Sequence, residues 1–253
     1  MEISYEGQTY SIVATNNEDH IAKQIAMSGT FYELDLLEYM RSVRPWMKGD
    51  TAVDVGANIG NHSLYFGQFL FEHVFSFEPN AELFEILGDN LGGRGAIHHL
   101  IPMAAGAHEG SGDFIKGPDW NSGMGRAVPG AGSIRFTTLD KVLHRQSVAF
   151  VKIDVEGGEL GVLNGGLELL KTQKPHLFIE CSTPAALTQI RAFLAPLGYS
   201  SLSRWAATPV YHFAYHPALS LRLFAKAARL RHIVSRFIGR VLAGPSKAQH
   251  GRL

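Results

Sequence analysis

Four acidic residues each follow a short apolar run, and they are the first candidates for chemistry. They are Asp54, Glu78, Asp154 and Glu180. The apolar runs before them are typical of buried strands. Because the carboxyl ends of parallel strands meet at one edge of a sheet, the four carboxyl groups are expected to line one ligand crevice. Of the four, Asp154 and Glu180 are predicted to be catalytic.

The first acid opens a glycine-rich turn that leads into a helical pattern ending near Leu70. Its key positions are Asp54, Gly56, Asn58 and Gly60. Glycines let the backbone approach a ligand closely. A dinucleotide-binding fingerprint has a glycine where Asp54 stands, and an acid there repels a pyrophosphate. The turn therefore predicts a ligand with an ammonium or sulfonium group and no phosphate, and S-adenosylmethionine is the cofactor expected.

Glu78 ends the next strand, 24 residues after Asp54. An acid at this distance can accept hydrogen bonds from both hydroxyls of a ribose. The residues of the glycine-rich turn are predicted to hold the methionine part of the cofactor, and Glu78 is predicted to bind its ribose.

The surrounding elements predict an α/β fold. Alternating strands and helices indicate a doubly wound, mostly parallel, Rossmann-like sheet. An antiparallel edge pair is predicted at 199–205 and 209–215, and one helix is predicted over 159–170. Before the first core strand we expect a hairpin at 2–14 and two helices that join near Gly29.

The predicted domain spans residues 1–216, with the hairpin and helices in 1–49 and the catalytic core in 50–216. Residues 217–253 are predicted to form a basic amphipathic helix and a tail. A long Gly-, Ala- and Ser-rich stretch, 104–133, is predicted to be a functional loop, and short strands are predicted at 113–116 and 134–136.

Composition divides the chain into an acidic part and a basic part. Residues 1–180 hold all 23 acidic residues and 13 Lys and Arg, a net charge of −10, whereas residues 181–253 hold ten basic residues and no acid. The single cysteine excludes an intrachain disulfide. No signal peptide or membrane-spanning run is evident, so a cytoplasmic location is expected, with peripheral contact to the inner face of a membrane as an option.

The basic part contains an amphipathic pattern over residues 219–242. Its basic residues are spaced to share one helical face: Arg222, Lys226, Arg229, Arg236 and Arg240. An apolar stripe runs beside them: Leu219, Leu223, Leu230, Val234, Phe237 and Val241. Two arrangements follow, a helix packed on the acidic body or a helix lying on an anionic membrane surface. Nucleic acid is not an expected partner, because exposed aromatic residues do not alternate with the basic ones.

Several motifs together resemble the FkbM-family methyltransferases. The most specific is the segment from Lys152 to Glu159, Lys-Ile-Asp-Val-Glu-Gly-Gly-Glu, and the others are Asp54–Gly60, Phe77-Glu78-Pro79, Leu139-Asp140, 162–166, Pro175 and Glu180. Gly158 departs from the alanine that the family often has. The resemblance implies a class I, S-adenosylmethionine-dependent fold that methylates a hydroxyl of a sugar or a polyketide-like product.

The role of Asp154 has three interpretations at this point. It can act as the base, or orient the acceptor, beside the transferred methyl group. It can belong to a structural ion pair, because Lys152 shares its strand face and can reach Asp154 or Glu180. With Glu180 it can also hold Mg²⁺, although no third ligand is evident and no metal is expected to be required.

Two further places are candidates for acceptor contact. Asn121-Ser122-Gly123 lies in the long loop, where a simple polar turn is an equal alternative. His62 lies just inside the helix after the glycine-rich turn, where a plain helix-start residue is the alternative.

The sequence thus predicts an O-methyltransferase that uses S-adenosylmethionine and acts on a small-molecule or glycan hydroxyl. Two rivals stay open, a catalytically silent binding protein on the same fold and a nicotinamide-dependent oxidoreductase.

Overall fold

The computed structural model describes residues 1–16, 18–118 and 120–243, with side chains up to residue 236. The predicted tail at 244–253 lies outside the described residues. The strands are β1 Glu2–Tyr5, β2 Gln8–Ser11, β3 Thr51–Val55, β4 His73–Phe77, β5 Ile97–Ile101, β6 Ala104–Ala105, β7 Gly110–Ile115, β8 Arg126–Pro129, β9 Ile134–Thr137, β10 Val148–Ile153, β11 His176–Glu180, β12 Tyr199–Trp205 and β13 Val210–Tyr215. The helices are α1 His20–Ser28, α2 Leu34–Val43, α3 Asn61–Phe69, α4 Ala81–Leu91, α5 Leu139–Leu143, α6 Glu159–Gly165, α7 Leu167–Thr172, α8 Pro184–Leu194 and α9 Leu219–Ala243.

The central sheet has the strand order β12-β13-β11-β10-β3-β4-β5. The strands from β11 to β5 pair in parallel, whereas β13 is antiparallel to both β11 and β12. The direction of winding reverses between β3 and β10, which is where open α/β sheets bind ligands. The predicted mostly parallel sheet and its antiparallel pair are confirmed, with β12 as the outer strand.

Helices cover both faces of this sheet. Strand residues alternate between two buried clusters, so that Ala52 and Phe150 face one side while Val53 and Val151 face the other. Buried residues of α1–α4 and α9 belong to the first cluster, and those of α5–α8 belong to the second. The doubly wound arrangement is therefore confirmed.

The N-terminal segment folds as predicted. β1 and β2 pair so that Tyr5 faces Gln8, which leaves Glu6 and Gly7 as a two-residue turn. Both turn residues have positive φ, the requirement of the type I′ turn that suits a hairpin. The two helices α1 and α2 are separated at Gly29, whose φ of 66° ends α1.

The prediction of one helix over 159–170 was wrong, because the helix is divided into α6 and α7. The chain carries Gly165 and Gly166 at the break. A Cβ on Gly165 would lie 2.0 Å from the carbonyl oxygen of Gly106, so only glycine permits this close contact. The break between α6 and α7 therefore lies where the chain contacts Gly106, near the start of the long loop.

The long loop forms a second sheet with the order β6-β9-β7-β8. Its ends are joined, because β6 and β9 pair in parallel with Ala104 opposite Phe136. The short strands predicted near 113–116 and 134–136 correspond to β7 and β9, whereas β8 was not predicted. This second sheet covers the carboxyl edge of β3 and β4.

Helix α9 packs on the body of the protein. Leu221 and Ala225 are buried in the first cluster, and Phe224 lies 5.1 Å from Trp46 between ring centroids. The predicted apolar stripe is not the packed face, because Leu219 and Leu223 are exposed. The side chains of Phe237, Arg240 and Val241 lie outside those described. Among the described residues, no helix is both long and apolar enough to span a bilayer.

Candidate active site

The turn after β3 brings the backbone of two strand ends into contact. Gly56 has a φ of 82°, and a Cβ there would lie 1.8 Å from the carbonyl oxygen of Asp154. The amide of Gly56 donates to the carbonyl oxygen of Phe77 at 3.0 Å. Glycine is therefore required for the ends of β3, β4 and β10 to meet.

Glu78 lies at the end of β4 and connects the turn to α4. Its side chain accepts hydrogen bonds from the backbone amides of Asn58 and Asn80, each at 2.9 Å. Glu78 is only 4% exposed. Burial raises the pKa of Glu78 to about 7, although the two amides favour the ionised form. A further hydrogen-bond donor to Glu78 would therefore favour its ionised form near neutral pH.

A cavity of about 370 Å³ lies between the edge of the central sheet and the second sheet. On the core side it is lined by residues that include Gly56, Asn58, Glu78 and Asp154. On the other side it is covered by residues such as Phe114, Ala127 and Phe136. The cavity has the position at which an open α/β sheet binds a nucleoside.

The other three predicted site residues are not among those that line this cavity. Gly60 packs against α4, because a Cβ there would lie 2.8 Å from Cδ1 of Leu87. Asp54 is fully buried below the turn and accepts a hydrogen bond from Ser63 Oγ at 2.7 Å. Glu180 is buried at the end of β11. Asp54, Gly60 and Glu180 therefore contact the elements that carry the lining residues rather than the cavity itself.

Lys152 is buried between two carboxylates. Its Nζ lies 3.2 Å from Asp54 Oδ1 and 3.3 Å from Asp154 Oδ2. Burial alone would lower the pKa of Lys152, but the two carboxylates raise it above its usual range. The predicted pairing with Asp154 is confirmed. The bridge from β10 to β3 through Asp54 was missed, and an ion pair from Lys152 to Glu180 on β11 does not form.

Asp154 and Glu180 form a hydrogen-bonded pair of carboxyl groups. Burial and the neighbouring Asp154 charge raise the pKa of Glu180, so Glu180 keeps its proton and donates it to Asp154. Burial opposes ionisation of Asp154, but Lys152 and the hydrogen bond from Glu180 lower its pKa. The Asp154 side chain is 32% exposed and lines the cavity, so the ionised member of the pair is the accessible one.

Glu156 adds a third carboxyl group, which was not predicted to belong to the site. Carboxylate oxygens of Asp154, Glu156 and Glu180 lie within 4.8 Å of one another. Burial, followed by the Asp154 charge, raises the pKa of Glu156 to about 7. Glu156 also has a φ of 53°, a strained value for a residue with a side chain. Three oxygen ligands at this spacing are compatible with a divalent cation.

A second group of polar residues comes from the N-terminal segment. The side chain of Asn61 accepts from the amide of Tyr32 at 3.0 Å and donates to its carbonyl oxygen at 3.1 Å. This attachment puts Glu33, with a φ of 56°, beside His62, whose Nε2 lies 3.4 Å from Glu33 Oε2. Burial raises the pKa of Tyr32, and the charges of Glu33 and Asp154 add to this effect. Tyr32 and Glu33 therefore belong to the electrostatic surroundings of Asp154.

The loop around Ser122 completes the cover of the cavity. Asn121 accepts a hydrogen bond from the amide of Gly123, so the predicted polar turn is present. Ser122 lines the cavity, and its Oγ is buried without a hydrogen-bond partner among the described residues. The amide of Ser122 donates to Asp19, the N-cap of α1, at 2.9 Å. The N-terminal segment thus holds this loop as well.

Comparison with known sequences assigns the chain to a family. The sequence profile described as the methyltransferase FkbM domain matches residues 54–201, more than half of the 253 residues. This chain belongs to the FkbM methyltransferase family. The resemblance inferred from the motifs is confirmed, and all seven predicted site residues lie in the matched span.

Individual relatives of this FkbM-family chain are more distant. It is 34% identical over 129 residues to the hexuronic acid methyltransferase AglP of Haloferax volcanii, a match that covers 49% of this chain and 52% of AglP. The chain thus spans about half the length of this curated relative.

Solved structures are similar to this chain at low identity. A methyltransferase FkbM from Methylobacillus flagellatus is 19% identical, with a TM-score of 0.48 and coverage of 66% of this chain and 44% of that one. An S-adenosylmethionine-dependent O-methyltransferase from Thermotoga maritima is 16% identical, with a TM-score of 0.46 and coverage of 77% and 69%.

Two site residues of this FkbM-family chain fall outside the matched span and were not predicted. Tyr32 and Glu33 precede the first core strand, and no spacing in the sequence connects them to Asp154. The one available signal was Asn61 beside His62, a polar pair at the start of a helix in an otherwise apolar region. Only the fold shows that Asn61 fixes the segment that carries Tyr32 and Glu33.

Proposed function

We propose that this chain is an S-adenosylmethionine-dependent O-methyltransferase that acts on a hydroxyl of a sugar, a glycan or a secondary metabolite. The observation that carries the proposal is the buried Glu78 carboxyl group, which lines a cavity at the reversal point of the sheet beside Gly56 and Asn58. An acid at this strand end binds the hydroxyls of a ribose.

The cavity fits this cofactor in shape and charge. Gly56, Asn58 and Glu78 are the residues that would hold S-adenosylmethionine. None of the described residues that line the cavity is a Lys or Arg, the side chains that would bind a pyrophosphate. When bound, S-adenosylmethionine supplies a methyl group on a sulfonium centre. Asp54 supports the turn from below through Ser63 and Lys152.

On the acceptor side, Asp154 is the residue that takes up the hydroxyl proton. Its ionised form is maintained by Lys152 and by the proton of Glu180. Because this carboxylate has a lowered pKa, it acts by orienting the hydroxyl and receiving its proton as the new bond forms, rather than by deprotonating it beforehand. Glu180 holds Asp154 in place through their hydrogen bond.

The acceptor proposal follows from polar groups at the cavity and in the electrostatic surroundings of Asp154. Ser122 lines the cavity, and Tyr32, Glu33 and His62 belong to those surroundings. A polyhydroxylated acceptor uses such hydrogen-bond donors and acceptors. AglP acts on a hexuronic acid, which supports a sugar as the acceptor class here.

A metal is not required in this proposal. Asp154, Glu156 and Glu180 fit a divalent cation in spacing, and a cation there would polarise the acceptor oxygen. However, Lys152 already balances the charge of Asp154, and Glu180 retains its proton. We therefore expect full methyl transfer after treatment with EDTA, and activity restored only by added Mg²⁺ would contradict this part of the proposal.

Calorimetry and methyl transfer test the proposal against its two rivals. The protein should bind S-adenosylmethionine and not NAD, whereas the reverse preference would favour an oxidoreductase. With radiolabelled S-adenosylmethionine, label should pass to a neutral sugar or uronic acid within a panel. Binding of the cofactor without transfer to any acceptor of the panel would favour a silent binding protein.

A further inference from the structure

Helix α9 uses only one of its two apolar faces to contact the protein. Leu221 and Ala225 are 2% and 0% exposed, and His232 lies 4.9 Å from Trp205 between ring centroids. These residues, with Phe224 and Ala228, recur at the spacing of one helical face. This inner face attaches α9 to α2 and β12.

The opposite side of the helix is apolar and exposed. Leu219, Leu223, Leu230 and Val234 are 70%, 60%, 62% and 47% exposed. At 100° per residue, the four lie within about 60° of one another and directly opposite the inner face. We call them the outer face of α9. Leucines scattered singly on a surface need no explanation, but four large apolar residues aligned on one side of a helix over four turns do.

Basic residues border the outer face on both sides. Lys226 and Arg222 lie on one flank and Arg231 lies on the other, while Arg236 lies beyond Arg222, towards the inner face; all four are exposed. None of them forms an ion pair with an acidic residue in the part of the chain whose side chains are described. From Cys181 onward the sequence contains no acid at all, so the positive charge of α9 is not balanced locally.

We propose that the outer face of α9 binds the surface of an anionic lipid bilayer. The leucines would enter the boundary between headgroups and acyl chains, and the flanking basic residues would contact lipid phosphates. A symmetric second copy is a poorer occupant, because it would bring two sets of unbalanced positive charges together. The inner face keeps the helix attached to the enzyme, so the whole protein is held at the membrane. This inference does not depend on the methyl-transfer activity.

Vesicle co-sedimentation of the full chain tests the inference. The protein should sediment with vesicles of phosphatidylcholine and phosphatidylglycerol, and weakly with phosphatidylcholine alone. High salt should release it, because exposed charges are screened beyond about 8–10 Å. The Leu223→Glu/Leu230→Glu variant should bind at least about tenfold more weakly, since it loses apolar contact and adds negative charge.

A matched control is available among the other exposed apolar residues. Met27 and Ile97 are 81% and 60% exposed and lie away from α9. The Met27→Glu/Ile97→Glu variant carries the same change in charge and should bind vesicles as the unmodified protein does. The Lys226→Gln/Arg236→Gln variant should lose about fivefold per removed charge on anionic vesicles only.

Three results would overturn the proposal. The first is absence of sedimentation with anionic vesicles, and the second is equal sedimentation with neutral ones. The third is a dimer in light scattering that becomes monomeric in Leu223→Glu/Leu230→Glu, together with no vesicle binding, because a second copy would then be the occupant. Cofactor affinity and melting temperature, measured for each variant, show that the variants are folded.

Discussion

The ammonium group of Lys152 lies 3.2 Å from Oδ1 of Asp54, and the two side chains are 3% and 0% exposed. Burying an ion pair has a large desolvation cost, and removing one partner leaves the other charge without compensation. The Lys152–Asp54 pair joins β10 to β3 below the glycine-rich turn, so it controls the stability of the strands that form the site.

Replacing Lys152 tests this relationship. Lys152→Met should lower the free energy of unfolding by about 3–5 kcal/mol, because Asp54 is left buried and unpaired. Urea denaturation measures the change. Lys171→Met, which breaks the exposed pair with Glu168, should cost less than about 1 kcal/mol. Adding Asp54→Asn to Lys152→Met should recover part of the loss, and no recovery would mean that the pair is not the cause.

Glu78→Ala should weaken the binding of S-adenosylmethionine. The expected cost is about 1.5–3 kcal/mol, the range for removing a charged hydrogen-bond acceptor. Isothermal calorimetry gives the affinity, and circular dichroism verifies the fold, because Glu78 also holds the amides of Asn58 and Asn80. Glu85→Ala, an exposed acid on α4, serves as the control and should bind normally. Equal affinities in the two variants would remove Glu78 from the ribose site.

Asp154→Asn should separate cofactor binding from turnover. The amide retains the shape of the carboxyl group but cannot receive the acceptor proton, so turnover should fall by at least about 10²-fold. Cofactor affinity should stay close to that of the unmodified protein. Asp89→Asn, an exposed change of the same kind, should leave both quantities unaltered. If the Asp154→Asn protein unfolds while its soluble fraction turns over normally, Asp154 is structural.

Asp19 is expected to stabilise both a helix and the loop over the cavity. It caps α1 through the amide of Ile21 at 2.9 Å, and it accepts from the amide of Ser122 at the same distance. Asp19→Ala should cost about 0.5–2 kcal/mol for the cap and accelerate hydrogen exchange at 120–125. Thr183→Ala removes only the cap of α8, so it should lower stability without changing exchange in that loop. Unchanged exchange in Asp19→Ala would contradict the second role.

A buried histidine chain should make stability depend on pH. The Tyr39 hydroxyl lies 2.8 Å from His212 Nδ1, and His212 Nε2 lies 2.9 Å from His176 Nδ1. Burial lowers the pKa of His176 to about 4 and that of His212 well below its usual value. Both pKa values lie below that of an unfolded histidine, about 6.5, so these two side chains bind more protons in the unfolded chain than in the folded one in this window.

The contribution of these two histidines to stability should therefore fall as the pH decreases from about 6.5 towards about 4, whereas Glu78 and Glu156, whose pKa values burial raises to about 7, contribute in the opposite direction. Each histidine adds a slope of up to about 1.4 kcal/mol per pH unit, measured by urea denaturation across this range. The slope of stability against pH should be lower by up to this amount in His212→Asn than in the unmodified protein, whereas His144→Asn, which changes an exposed histidine, should keep the slope of the unmodified protein. Equal slopes in the two variants would assign the acid sensitivity to other groups.

The strands and caps of the core were predictable because they depend on neighbouring residues. An apolar run followed by an acid and glycines identified β3 and its turn, and Asn80, a residue type that favours helix starts, forms the N-cap of α4. Residues that meet through the fold were not predictable. Lys152 reaches Asp54 because β10 and β3 pair in parallel with these two residues opposite each other, a register that no local pattern contains.

The same dependence on the fold explains why some residues of the site were not predicted from the sequence. Glu156 lies beside Asp154 and Glu180 with a positive φ, which glutamate seldom adopts and which no sequence pattern indicates. The sequence pattern identified the apolar stripe of α9 but not whether that stripe faces the protein or the solvent. Two apolar faces of one helix have the same periodicity, and only the structure shows which of them is packed. Periodicity shows that a helix has a face and does not show what lies against it.

The pairing of β6 with β9 makes the second sheet an exchangeable unit. Because Ala104 faces Phe136 and Ala105 faces Thr137, the segment leaves the core and returns to it at one place. Its ends are held together whatever lies between them, so residues 106–135 can lengthen or shorten with little cost in loop entropy. Acceptor preference can therefore diverge within such a fold, or be transplanted from one member to another, while the cofactor half of the cavity and the central sheet remain the same.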